Sequence, residues 1–188
     1  ARCPSVVKKS TPKTTCKPPD RPLSYAEWVK QSKPKFHWKV DVLCDRLQTV
    51  ANAGLIIRTA AGLGIRSVFF LRPKFNLNTK KLNKLSRSNS RHVELKRIEK
   101  ISDIDFSKYD YIVGLEYSQN STSIYQHRLS GPTLLILGSE FNGIQLELLN
   151  LANEVYHIPL SGEQSSINVA QAFSGAMVHI NAKRIKMT

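Results

Sequence analysis

Residues 133–144 read Thr133-Leu134-Leu135-Ile136-Leu137-Gly138-Ser139-Glu140-Phe141-Asn142-Gly143-Ile144. The run up to Leu137 shows no polar alternation, which is the pattern of a strand covered on both faces, as in a parallel sheet. A glycine-bounded loop follows at once. Glycines there permit tight or left-handed backbone and the close approach of a ligand. Open α/β folds bind ligands beyond the carboxyl ends of their parallel strands. Glu140 in this loop therefore reads either as a functional carboxylate or as a cap for the next helix.

The same grammar extends in both directions. Residues 67–71 (SVFFL) and 111–115 (YIVGL) are further apolar runs, and Val40, Val42 and Leu43 mark another strand. Residues 155–159 and the partly exposed 92–98 complete the set. Between them, residues 52–64, 79–87, 145–152 and 166–184 read as helices, the first with a glycine stop and the second strongly basic. Alternation of strands and helices predicts an α/β domain on a mainly parallel sheet flanked by helices. That domain spans residues 40–188.

Residues 1–39 form a basic, Pro-rich extension. Its first 22 residues hold five prolines and a single acid, Asp20, a composition that denies regular backbone pairing and predicts a partly flexible arm. Residues 23–39 carry Leu23, Tyr25, Trp28 and Val29 at helical spacing, with Ser24 and Glu27 as a capping box. The cytoplasm is the expected compartment, and the basic, acid-poor, Ser/Thr-containing start also fits an organelle transit peptide or its remnant (mitochondrion or plastid). The first residue is not Met, which fits a processed chain or a piece of a longer one.

At 188 residues, 41% hydrophobic and 22% charged, the chain can bury a core, and wholesale disorder is excluded. No stretch approaches the ~18–20 apolar residues of a membrane-spanning helix. Cys3, Cys16 and Cys44 cannot all pair internally, none forms a CxxC, and the five histidines are scattered. A soluble protein of a reducing compartment, without a disulfide scaffold or a metal site, is expected. Net charge is +14 and unevenly spread: residues 1–40 hold ten basic and two acidic side chains, residues 72–100 again ten and two, and residues 101–182 two and eight. Two basic blocks of this kind are an electrostatic footprint for a polyanion.

Two more segments carry polar residues at the edges of apolar elements. Residues 52–59 read Asn-Ala-Gly-Leu-Ile-Ile-Arg-Thr. Asn52 and Arg58 lie about 240° apart around an ideal helix and do not share a face; at the N-cap, Asn52 would close the turn while Arg58 projects from the second turn. Residues 158–172 run from Ile158-Pro159-Leu160 through a Gly loop to Ser165-Ser166-Ile167-Asn168-Val169. Ser165 or Ser166 reads as an N-cap. Asn168, a poor helix former, reads as a side chain with another task. Gly62 and Gly64 form only a lone GxG, and there is no P-loop.

Together these segments resemble the SpoU-type, TrmH-like ribose methyltransferases of the SPOUT superfamily. The three family motifs, N-x-G-x-x-x-R-T, G-x-E-x-x-G-[IL] and I-P-[ML]-x-G-x-x-x-S-[LI]-N-V, occur in order between Val40 and Ile185. The resemblance implies a C-terminal deep trefoil knot, a rare exception to unknotted topology, and S-adenosylmethionine bound by Leu115, Gly138, Ile158, Leu160 and Ile167. It further implies a homodimer whose sites draw on both subunits, and methyl transfer to a ribose 2′-hydroxyl of tRNA or rRNA. Arg58 would act on that hydroxyl as a cationic clamp, with Asn52, Glu140, Ser166 and Asn168 shaping the site and no metal required. Lys80, Lys81, Lys84, Arg87 and Arg91 would contact RNA phosphate, joined by Lys8, Lys9, Lys13, Lys17 and Arg21 of the arm. Trp28, Phe36, His37 and Trp38 read either as base-stacking aromatics or as packing of the extension. The extension is too short and Pro-rich to be a separate RNA-binding domain, which favours tRNA or a piece of a longer chain. The alternatives are a non-catalytic knotted RNA-binding or assembly factor and a SPOUT enzyme that methylates a base.

Overall fold

A computed structural model of the chain describes residue 27 and residues 39–86, 93–163 and 166–185, with side chains of the last helix described through residue 182. The chain divides into two units between Lys35 and Phe36. Only Glu27 is described in the first unit; the sheet and its helices belong to the second. Apart from Glu27 and Lys39, the extension and the helix expected over residues 23–39 lie outside the described residues, as do Arg87 and Arg91.

The sheet holds β1 (Val40–Asp45), β2 (Ser67–Leu71), β3 (Glu94–Ile98), β4 (Tyr111–Leu115), β5 (Thr122–Ser123), β6 (Thr133–Leu137) and β7 (Glu154–His157). Their order is β3-β2-β1-β6-β4-β7-β5, and each neighbouring pair is parallel. β6 sits at the centre, with Thr133 beside Val40 and Tyr111, and Leu137 beside Cys44 and Leu115. All five of its residues are buried, as its unbroken apolar run requires.

Alternate residues along the strands feed two separate cores. Val42, Cys44, Leu135 and Leu137 pack on one face with Ile56, Ile57, Phe173 and Met177 of the helices α1 (Val50–Gly62) and α4 (Val169–Ile185). Leu43, Leu134 and Ile136 pack on the other with Leu148 of the short helix α3 (Leu146–Leu151) and with Ile101 and Ile104 around a 3-10 turn. Helix α2 (Lys80–Leu85) lies against α1. This double covering is the predicted α/β architecture.

The helix starts differ from expectation, and the reason is capping. Asn52 is not the N-cap of α1: Thr49 is, in extended backbone, with Oγ1 accepting from the Asn52 N–H at 3.2 Å. The helix therefore begins at Val50 and carries Asn52 inside its first turn. Helix α4 begins three residues later than expected, because Asn168 Oδ1 accepts from the N–H groups of Ala170 at 2.9 Å and Gln171 at 3.3 Å. That is the bonding of an N-cap residue, so Asn168 and not Ser166 caps the helix; Ser165 lies outside the described residues. Strand β5 has no counterpart in the sequence reading, since two residues carry no periodicity.

Candidate active site

The carboxyl ends of β4, β6 and β7 open onto a cleft of about 510 Å³, within the ~300–1,000 Å³ of small-molecule sites. The five residues expected to hold a cofactor, Leu115, Gly138, Ile158, Leu160 and Ile167, all line it. So do Glu140, Ser166 and Asn168. Asn52 and Arg58 do not.

The 138–144 loop is built to come close to itself. Ser139 and Gly143 exchange two backbone hydrogen bonds, each 3.1 Å, and Gly143 takes a φ of 62°. A Cβ on Gly138 would stand 2.4 Å from the Gly143 carbonyl carbon and 2.5 Å from the Ile144 nitrogen. No side chain fits there. Glu116, just past β4, holds the loop from the neighbouring strand: its carboxylate accepts from the N–H of Ile144 at 2.9 Å and of Tyr117 at 3.0 Å. Sequence reasoning missed Glu116. An acid directly after the YIVGL run is the same signal that singled out Glu140 after TLLIL.

Glu140 faces away from this contact and binds the start of α1. Its carboxylate accepts from the Gln48 N–H at 2.8 Å, the Thr49 N–H at 3.2 Å, the Thr49 hydroxyl at 3.1 Å and the Asn52 amide at 2.7 Å. Burial pushes its carboxyl up, yet the donors from Gln48, Asn52, its own backbone and Thr49 outweigh this and hold it below the usual carboxylate range. Asn52, only 6% exposed, in turn accepts from the Asn168 amide at 2.9 Å. One polar chain thus joins all three sequence segments: Glu140 to Asn52 to Asn168 to the first turn of α4. With its oxygens so engaged, Glu140 is an organiser of the site.

Arg58 is exposed on α1 and makes no hydrogen bond or ion pair with another described residue. Its separation from Asn52 follows the helical angle. Lys80, Lys81 and Lys84 are exposed on α2, outside the cleft. Tyr117 and Phe141, 76% and 83% exposed, are among the residues that line the cleft. Cys44 is fully buried, and burial, with the charges of Glu140 and Asp45 adding to it, pushes its thiol up and keeps it protonated.

Comparison with known proteins extends this geometry. The family model described as the SpoU rRNA methylase family matches residues 39–178. The 23S rRNA (guanosine-2′-O-)-methyltransferase RlmB of Haemophilus influenzae is 28% identical over 138 residues, covering 71% of this chain and 56% of that protein. The SpoU methyltransferase AviRb of Streptomyces viridochromogenes superposes with a TM-score of 0.73 at 23% identity, covering 78% of this chain and 60% of that one; it has also been solved with the cofactor AdoMet. The TrmH/SpoU tRNA modifying enzyme of A. aeolicus superposes with a TM-score of 0.69 at 19% identity, covering 79% of this chain and 77% of that one. This chain therefore spans little more than half the length of RlmB and of AviRb. AviRb and the A. aeolicus enzyme share the fold, the family match takes in all three loop segments that meet at the cleft, and the chain belongs to the SpoU rRNA methylase family.

Proposed function

We propose that the protein is an S-adenosylmethionine-dependent methyltransferase acting on a ribose 2′-hydroxyl of tRNA or rRNA. The observation that carries this reading is the polar chain from Glu140 through Asn52 to Asn168, which ties the arginine-bearing helix to the rim of the cleft. The cleft suits the cofactor: Leu115, Ile158, Leu160 and Ile167 offer apolar walls to an adenine, and Gly138 lets the loop at its edge close on itself. When bound, the cofactor supplies an electrophilic sulfonium methyl.

The remaining chemistry falls to the chain itself. A ribose hydroxyl is a poor nucleophile until negative charge on its oxygen is stabilised. Arg58 supplies the positive charge that does so. Its planar guanidinium cation holds the developing alkoxide and an adjacent phosphate, and the hydroxyl proton leaves to solvent. Glu140, Asn52 and Asn168 position the segments, and Ser166 lies at the cleft rim. Lys80, Lys81 and Lys84 steer RNA by charge.

The active unit in this reading is a homodimer. Arg58 does not line the cleft of its own chain, and Leu55 and Val178 are exposed at 45% and 58% on the two helices that pack together, α1 and α4. A second copy that covers this face brings Arg58 to its partner's cleft. The trefoil knot belongs to the same proposal; in its support, β6 lies between β1 and β4, and α4 returns from β7 to α1, where Ser174 Oγ meets Thr59 Oγ1 at 3.0 Å.

The test is methyl transfer from labelled S-adenosylmethionine into total tRNA and, separately, rRNA, with the nucleoside product identified by mass spectrometry. A 2′-O-methylated nucleoside, lost in Arg58→Ala while cofactor binding persists, is expected. A methylated base would establish the base-modifying alternative. Cofactor binding with no label in either pool would favour the non-catalytic factor.

A further inference from the structure

Arg46 and Arg72 adopt left-handed backbone, with φ of 47° and 45°, and are the only non-glycine residues to do so among the described residues. L-residues avoid that region. Each arginine follows the last residue of a strand, Asp45 of β1 and Leu71 of β2, and those two residues are register partners. The arginines consequently leave the sheet side by side. The Arg46 N–H donates to the Leu71 carbonyl at 2.8 Å, and the Arg72 N–H to the Ile98 carbonyl at 2.9 Å. Like charges placed directly across a strand pair repel. The left-handed backbone is unfavourable at both positions, and it sets two arginines beside one another at the carboxyl end of the sheet.

The two guanidinium groups are also aimed. Asp45, fully buried, accepts from Arg46 Nε at 3.1 Å and Nη2 at 3.2 Å, and from the Gln145 backbone and side-chain nitrogens at 2.8 Å each. Gln145 then accepts from Arg72 Nη2 at 3.4 Å. One buried carboxylate thus orients both arginines, while the Arg46 side chain remains 31% exposed and Arg72 is exposed. The rim is coupled to the active site as well. Gln48 donates from its side chain to the Arg46 carbonyl at 2.7 Å and from its backbone to Glu140 at 2.8 Å.

We infer that Arg46 and Arg72 form a clamp for an RNA phosphodiester, separate from the cofactor cleft and from the lysines of α2. Asp45 takes Nε and Nη2 of Arg46 and Gln145 takes Nη2 of Arg72, and the guanidinium N–H groups left over from these bonds are directional donors to phosphate oxygens in a way point charges are not. The inference rests on the RNA-directed reading of the site. Both arginines are positioning residues: they hold the strand that carries the reactive ribose and leave the methyl transfer itself alone.

The test is titration of the full chain with bulk tRNA and with rRNA over a range of KCl concentrations. Arg72→Ala should lower the slope of log affinity against log salt by about one, uniformly across sequences. In methyl transfer it should raise the KM for RNA and leave kcat and S-adenosylmethionine affinity unchanged. Lys96→Ala, in mid-strand β3, serves as the control and should leave the slope as it is. Arg46→Ala strips a buried carboxylate of its partner and can perturb folding; Arg72→Ala, which gives up one long bond, decides the matter by itself. A wild-type slope in Arg72→Ala, or an equal loss in Lys96→Ala, overturns the clamp and leaves the methyltransferase reading standing. Failure of the wild-type chain to bind either RNA pool overturns both.

Discussion

Glu140 gathers four hydrogen bonds from three residues of the α1 start, and this gives the site an acid limb. Its carboxyl is held below the usual range in the folded protein. Its stabilising effect is therefore complete above the pH at which an ordinary carboxylate ionises, and is lost as the pH falls from there through the lower folded value. Cofactor affinity measured across the acid range should follow this limb in the wild type, and Glu140→Gln should bind more weakly at neutral pH with the limb flattened. Asn168 works on both neighbours at once. Asn168→Ala removes an N-cap, with an expected loss of about 1 kcal/mol in chemical denaturation, and also strips Asn52 of the amide that fixes its orientation. Methyl transfer should fall further than stability does, because the second loss acts on the position of α1.

Helix α1 carries a glycine whose use is packing. A Cβ on Gly54 would lie 2.5 Å from the Cβ of Leu85 on α2 and 3.3 Å from the Leu85 carbonyl carbon, so the two helices touch backbone to side chain at that point. Gly54→Ala should destabilise the domain by about 1–3 kcal/mol through overpacking, despite the better helix propensity of alanine. Thermal denaturation checks this. In the motif, Asn52 bonds to Glu140 and Asn168, the proposed mechanism assigns the ribose hydroxyl to Arg58, and Gly54 sets the distance between their helix and the helix that bears Lys80, Lys81 and Lys84. The loop element behaves otherwise. Gly138→Ala meets only backbone, and it should abolish cofactor binding in calorimetry while the sheet stays intact by circular dichroism.

At the scale of the whole molecule, Arg58 is not among the residues that line the cleft of its own chain, and the proposed mechanism therefore calls for a second copy. Sedimentation should report a dimer. A mixture of Arg58→Ala and Gly138→Ala chains, each inactive alone, should regain methyl transfer after dissociation and reassociation, since a mixed dimer joins an intact cleft to an intact Arg58. A mixture that stays inactive would mean that each chain completes its own site. The charge distribution belongs to this scale too. Lys80, Lys81 and Lys84 of α2 and Arg72 are exposed and Arg46 is half-buried, whereas residues 101–182, which supply the cleft, are acidic in balance. In the proposed enzyme, RNA is held beside the cofactor site by one part of the chain and processed by another.

The covered strands, the α/β alternation and the three polar segments are legible in the sequence because each is encoded locally. An unbroken apolar run such as TLLIL reports a doubly covered strand, and a glycine loop behind it reports a ligand edge, whatever the rest of the chain does. The capping residues sit only a few positions from where the sequence puts them, since Thr49 and Asn168 compete with equally plausible neighbours and backbone angles choose among them. What the tertiary structure alone decides is which segments meet. Glu140 bonds to Asn52 across 88 residues, Asn168 to Asn52 across 116, and Gln145 to Asp45 across 100. Those contacts exist because β6 pairs beside β1 and α4 packs back on α1. Strand order leaves no trace in hydrophobic period, so the polar chain through the site and the aim of the two rim arginines emerge only when the sheet is assembled.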